Sequence, residues 1–144
     1  MSAHEPASRW QWRIPSATFR LAPLRAELRA LLRGLSLPQS AIHDVVLATH
    51  EAVVNAMLHG NGLDASRHVE LCIEISDEWL VVQVEDEGAG FDWREWVPPR
   101  RHRPTPPDAL KGRGILVMTR AMDSVVFSEA GNVVRMAKER RAQT

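Results

Sequence analysis

The chain has 144 residues, 44% of them hydrophobic and 25% charged, the balance of one globular domain with a real core rather than of a disordered chain. Eighteen Lys and Arg offset eighteen Asp and Glu, which argues against bulk binding to nucleic acid or to an anionic membrane surface. Cys72 is the single cysteine, which excludes a disulfide framework and a thiolate-rich metal site; with no leader-like N-terminus and no apolar run of spanning length, a cytoplasmic location is expected.

Residues 1–9 read as a flexible N-terminus, 10–139 as one domain and 140–144 as a tail. "RWQWRI" alternates, with Trp10, Trp12 and Ile14 on one side, and predicts a short strand. The two tryptophans suit either a dimer interface or cover for a sheet edge. Leu24, Leu28, Leu31 and Leu35 predict a helix over 22–35, with Gly34 near its end. Ser36 and Gln39 have capping-box spacing, and Pro38 suits a first helical turn. The helix that follows carries Ile42, Val45, Val46, Thr49, Val53, Ala56 and Met57 in one stripe. Its other side holds Leu47, Ala48, Glu51, Val54, Asn55 and Leu58, so core is expected on one side and a lined cavity on the other. "HGNG" at 59–62 ends it.

"VELCIEI" (69–75) and "WLVVQVED" (79–86) alternate around a turn and predict a hairpin. The stretch from Phe91 to Leu110 holds five prolines and the cluster Arg100, Arg101, His102 and Arg103, which predicts a long loop. Trp93 and Trp96 within it suit lid or partner contacts better than core. "GRGILVMTRAM" (112–122) predicts a glycine turn into a helix, and "SVVFS" with "NVVRMAK" a closing hairpin. Strands grouped in hairpins between helices predict a two-layer α/β sandwich, its sheet mixed but mostly antiparallel, with the helices on one face.

Three motifs carry chemistry. Glu51 and Asn55 are i and i+4, so they share one face of an otherwise apolar helix. An amide oxygen suits Mg²⁺, which takes much of its shell from water and phosphate, and a carboxylate one turn away can act as a base on an attacking hydroxyl. Asp86, at the end of a strand, can accept an exocyclic amine, while Gly88 and Gly90 let the backbone turn against a flat ligand. Gly112 and Gly114 before a helix would leave backbone N–H groups open to phosphate oxygens, with Lys111 and Arg113 adding charge. Each motif alone has a bland alternative: a surface Glu/Asn pair, a β-turn, a loop-to-helix join. His59 sits where the helix dipole suits an imidazole and a nucleotide contact is also open. "HEAVV" lacks the second histidine of the zinc-protease pattern, and no P-loop is present.

The three motifs in this order, through "LATHEAVVNAMLHGN", "VVQVEDEGAGFD", "GRGILVMTRAMDSVVFS" and "GNVVRMAKE", resemble the Bergerat-type ATPase domain of histidine kinases and its relatives. Within that superfamily the chain is most similar to the bacterial anti-sigma-factor serine kinases, over residues 12–139. The resemblance implies Glu51 as general base and Asn55 as Mg²⁺ ligand. It places Asp86, Gly88 and Gly90 around adenine, and Lys111, Gly112, Arg113, Gly114 and Ile115, with His59, around the rest of ATP or ADP. It makes residues 92–111 a nucleotide lid. It also implies a homodimer that binds a sigma factor and phosphorylates a serine on an antagonist, without direct contact to nucleic acid or membrane. Two positions depart from the family pattern, His50 beside the glutamate and Asn132 after Gly131. The competing readings are a nucleotide-binding adaptor that sequesters a regulator without catalysis, and a detached histidine-kinase ATPase domain.

Overall fold

The structure is a computed structural model and describes residues 8–95 and 109–140. The elements follow the order expected: β1 (Ser8–Pro15), α1 (Leu21–Arg33), α2 (Gln39–Asn55), β2 (His68–Ile75), β3 (Trp79–Glu85), α3 (Ala109–Ala121), β4 (Ser124–Phe127) and β5 (Val133–Glu139). The strands form one sheet in the order β1-β2-β3-β5-β4. All four pairings are antiparallel, where the sequence had left room for a mixed sheet.

Period-2 alternation decides which face of the sheet is covered. Trp10, Trp12 and Ile14 stand opposite Ile73, Leu71 and Val69, and Ile73 and Leu71 face Val82 and Val84 across the next pair. This row continues to Met136 and Val134. Apart from the two tryptophans the row is buried, and the three helices cover it. The other face is polar. Arg13 pairs with Glu70 at 3.0 Å, Arg9 with Glu74 at 3.8 Å, and Arg135 donates to Gln83 at 3.2 Å. Those side chains are largely exposed, and such ion pairs contribute about 0–1 kcal/mol each; the covered face supplies the stability. Trp10 and Trp12 are half-buried and pack on the core's edge.

Two local expectations are corrected. The buried stripe of α1 is Leu21, Leu24, Leu28 and Leu32, a run at i+3 and i+4; Leu31 and Leu35 fall beside it and are half-buried. Each fully buried leucine contributes roughly 1.5–3 kcal/mol, so this register is what fixes α1 on the sheet. The capping box does not form. Ser36 has φ 55, which directs the chain out of α1, and Pro38 is the N-cap of α2 with no side-chain cap bond. Its carbonyl accepts from Ile42 N–H at 3.1 Å.

Arg140, first residue of the expected tail, is tied down: its N–H donates to Glu78 O and its guanidinium to Ser76 O and Leu35 O. Among the described residues no helix is long and apolar enough to cross a membrane.

Candidate functional site

In the helical layer α2 lies between α1 and α3. Ile42, Val45, Val46, Ala48, Thr49, Ala52 and Val53 are buried, whereas Glu51 and Asn55 are half-buried. Both of these side chains reach Gly114 of α3: a Cβ there would lie 3.0 Å from Glu51 Oε2, 3.1 Å from Asn55 Nδ2 and 3.3 Å from its Oδ1. The glycine therefore lets two helices approach over a carboxylate and an amide. A side chain at 114 would press into both.

From Asn55 a cleft of about 440 Å³, counted to its open mouth, runs towards the sheet. Ala52, Ala56, His59, Val84, Asp86, Met118, Phe127 and Asn132 are among its lining residues. Its polar end is built by the turn that closes α2. Residues Ala56–Gly60 form one π turn, in which Asn61 N–H reaches back to Ala56 O at 2.8 Å; such one-residue widenings recur at functional sites. The turn lays Gly60 directly on Asp86. A Cβ at Gly60 would stand 2.2 Å from Asp86 Cγ, and one at Gly88 2.2 Å from Gly60 O. Gly88 N–H donates to Asp86 Oδ1 at 2.8 Å. Asp86 also exchanges backbone contacts with Asn132, donating to its carbonyl at 3.0 Å. The Asn132 amide, braced by Ser128 Oγ at 3.3 Å, leans toward Asp86 O at 3.5 Å.

The side wall depends on two left-handed glycines. Gly90 (φ 88) lies on Ala130 O, and Gly131 (φ 91) lies on the Phe91 backbone. Their close approach stacks three aromatic rings: Phe91 meets Phe127 edge-on at 5.4 Å, and Trp93 stacks on Phe127 at 5.9 Å. Trp93 is thus packed on the core, which corrects its reading as a lid or partner contact. Trp96 and most of the proposed lid lie outside the described residues.

The expected glycine turn before α3 is also corrected. The helix begins at Ala109, so Gly112 and Gly114 lie inside it. Ala, Leu and Lys are strong helix formers, and at 109–111 they extend the helix upstream of the glycines. Arg113 is exposed and Gly112 buried; Ile115 is fully buried in the core and does not line the cleft. The Lys111 side chain lies outside the described part. His59 is exposed at the cleft rim.

Asn61 is a residue the sequence reading passed over. Only 3% exposed, it donates through Nδ2 to Ser16 Oγ at 2.9 Å and His68 O at 3.0 Å, and accepts Glu87 N–H at 2.8 Å. One buried amide therefore joins the ends of β1 and β2 to the loop that carries Asp86. Its signal, Asn after Gly at a helix end, is indistinguishable in sequence from an ordinary helix stop.

His50 points to the other side of α2. Arg25 Nη1 lies 3.1 Å from His50 Nδ1, and a guanidinium can only donate, so the imidazole proton sits on Nε2. Burial first, then the Arg25 charge, holds His50 below the usual histidine range, and Glu51 opposes this in part. A histidine depressed in the folded state is protonated first in the unfolded chain. The stability it confers is present above about pH 6.5 and is lost as pH falls from there toward the folded value. Thermal midpoints measured from pH 7.5 to 5 should fall more steeply for the native protein than for His50→Gln; parallel curves would remove this assignment.

Among the described residues no three His, Cys, Asp or Glu stand together as a metal cage. Asn55 at the cleft end fits a different kind of cation site, with one neutral oxygen from protein and the remaining shell from phosphate and water, as Mg²⁺ prefers.

Residues 14–138 match the family described as histidine kinase-like ATPase domain. An anti-sigma F factor of Clostridium perfringens is 28% identical over 121 residues, 83% of this chain and 86% of the relative. One from Clostridium acetobutylicum is 33% identical over 69% of this chain and 70% of its own length. Serine-protein kinase RsbW of Staphylococcus epidermidis is 26% identical over 89% of this chain and 84% of that one. Among solved structures, the RsbU and RsbW domains of a Mycobacterium tuberculosis protein superpose with a TM-score of 0.64 at 18% identity; this chain, 94% covered, spans about 33% of that one. The fold, the ordered motifs and these matches agree: the chain belongs to the histidine kinase-like ATPase family, in its anti-sigma-factor serine kinase branch.

Proposed function

We propose that the protein is an ATP-dependent protein serine/threonine kinase of the anti-sigma type, which holds a sigma factor and phosphorylates a serine on an antagonist protein. The observation that carries this reading is the position of Glu51 and Asn55 over Gly114, at one end of a cleft whose other end holds Asp86.

In this reading the Asp86 carboxylate, kept in place by Gly88 N–H, accepts the exocyclic amine of adenine. The backbone at Gly88 and Gly90 closes on the flat base. His59 stands at the rim beside the ribose and phosphates, and Gly112, Arg113 and Gly114, with Lys111 before them, border the phosphate end. Ile115 anchors that end to the core. Asn55 Oδ1 holds Mg²⁺, which when bound neutralises charge on the phosphate oxygens. Glu51 takes the proton from the serine hydroxyl; the serine oxygen bonds to the γ-phosphorus as the bond to the bridging oxygen breaks, and ADP leaves. The relatives' names, anti-sigma F factor and serine-protein kinase, support the partner assignment. Incubation with labelled ATP and the cognate antagonist protein should give phosphoserine. Tight MgATP binding without transfer to any antagonist would leave the adaptor reading in its place.

A ligand that binds only the folded state stabilises it by about 2.7 kcal/mol at a hundredfold excess over Kd, or roughly 5–10 °C for a domain of this size. MgADP should therefore raise the melting temperature by that amount. In Asn55→Ala the rise should shrink to what ADP gives without Mg²⁺. Equal shifts with and without the metal in the native protein would detach Asn55 from cation binding.

A further inference from the structure

A side-chain amide has two protons to donate and one oxygen to accept, and Asn61 uses all of them in the interior. Both Nδ2 protons are taken, one by Ser16 Oγ at 2.9 Å and one by His68 O at 3.0 Å. The Ser16 hydroxyl proton goes to Arg67 O at 2.9 Å, so Ser16 Oγ can only accept from Asn61. This fixes which way the amide is turned: Oδ1 faces Glu87 N–H, 2.8 Å away. The two ends of the amide therefore have separate partners. Nδ2 joins the ends of β1 and β2, and Oδ1 reaches the loop after β3.

The second link lies beside the base end of the cleft. Gly60 precedes Asn61 and Glu87 follows Asp86, so the Oδ1 bond draws the Gly60–Asn61 pair onto the Asp86–Glu87 pair. Gly60 is the wall against which the Asp86 carboxylate rests. On the other side, Asp86 N–H is held by Asn132 O at 3.0 Å. The main chain is thus fixed at both residues, at 86 by the β4–β5 turn and at 87 by Asn61. Glu87 adds a strap of its own, its carboxylate accepting His68 N–H. Asn61 does not line the cleft, so any effect it has on a nucleotide passes through Asp86. We infer that Asn61 is a positioning residue for base recognition: its amide oxygen sets Asp86 against the 6-amino group of the purine and so gives the cleft its preference for adenine. This rests on Asp86 as the reader of that amine. Placement at this level matters, since a shift of about 1 Å in a positioned group can cost about a hundredfold.

The probes are MgADP and the magnesium complex of purine riboside diphosphate, which differs only in lacking the 6-amino group. Each is titrated calorimetrically into the full-length protein, well below the melting temperature. The native protein should prefer MgADP by about tenfold or more, the range of a hydrogen bond to a charged acceptor. In Asn61→Ala the preference should fall below about threefold, through weaker MgADP binding, while affinity for the purine riboside ligand stays close to native. Ser16→Ala cuts only the strand-end half of the network. It should lower the melting temperature by several degrees and leave the preference intact, which a purely structural role for the amide would not predict. Should Asn61→Ala fail to fold, Asn61→Ser takes its place with the same expected direction, because its hydroxyl is one bond too short for Glu87 N–H. An undiminished preference in the Asn61 variant would overturn the inference. So would an equal collapse in Ser16→Ala, since lost rigidity alone would then account for it. A native protein that binds both nucleotides equally would remove Asp86 as the reader of the base, and the positioning role with it.

Discussion

Replacing Glu51 by Gln should lower phosphoryl transfer to the antagonist serine by 10²–10⁴-fold, the range that a positioned general base contributes, while MgADP affinity stays within about threefold of native. The substitution keeps the size and the hydrogen-bonding reach of the side chain but removes its capacity to take a proton. Glu51 Oε2 reaches the surface of Gly114, so the isosteric change leaves the α2–α3 contact undisturbed, and a fall in melting temperature of more than a few degrees is not expected. Asn55, one turn along on the same face, should behave in the opposite way: its loss weakens metal-dependent binding and transfer together. Transfer at the native rate in Glu51→Gln, with a serine acceptor and saturating MgATP, would show that another group takes the proton and would return the pair to the role of helix packing.

Much of this site was legible because two periodicities are strong. Alternation in 69–75 and 79–86 fixed which sheet face is covered, and the 3.6-residue stripe of α2 fixed which face of the helix was left for Glu51 and Asn55. Reading failed where a local rule met a tertiary preference. Leu31 fits a helical stripe as well as Leu32 does, and only packing against the sheet selects Leu32. Ser36 has the composition of a cap, but its positive φ serves the turn out of α1. At 109–111 three good helix formers outweighed the glycines that follow, moving the start of α3. Trp93 looked like a loop residue until the Gly90 and Gly131 backbones brought Phe91 and Phe127 beneath it. Asn61 and Gly60 were illegible for a different reason. Their importance lies in what comes near them from β3 and its loop, residues more than twenty positions away, and one sequence carries no record of that.

Gly60→Ala should abolish nucleotide binding, with a loss of at least a hundredfold in MgADP affinity, although local propensity favours the change. Gly60 lies in the helical turn that closes α2 and its φ is not in the left-handed region. Gly→Ala at such a backbone position usually stabilises by about 0.4–1 kcal/mol. The obstacle here is space: the new methyl carbon would stand 2.2 Å from Asp86 Cγ, 2.3 Å from its Oδ2 and 2.7 Å from its Oδ1. Two outcomes are sterically open. Asp86 can rotate about χ1, breaking its bond with Gly88 N–H and leaving the position from which it would accept the adenine amine. Alternatively the π turn can shift and pull on Asn61, whose amide ties three segments together. The first costs binding alone, and the second costs binding and several degrees of thermal stability. Asp86→Asn separates the two, since it introduces no steric change and should reproduce only the loss of affinity. Gly88→Ala should be worse than either, because its methyl meets the backbone carbonyl of Gly60 at 2.2 Å and no rotamer change relieves that. If Gly60→Ala binds MgADP as the native protein does, the carboxylate at 86 is not what recognises the base, and adenine must be read elsewhere along the cleft.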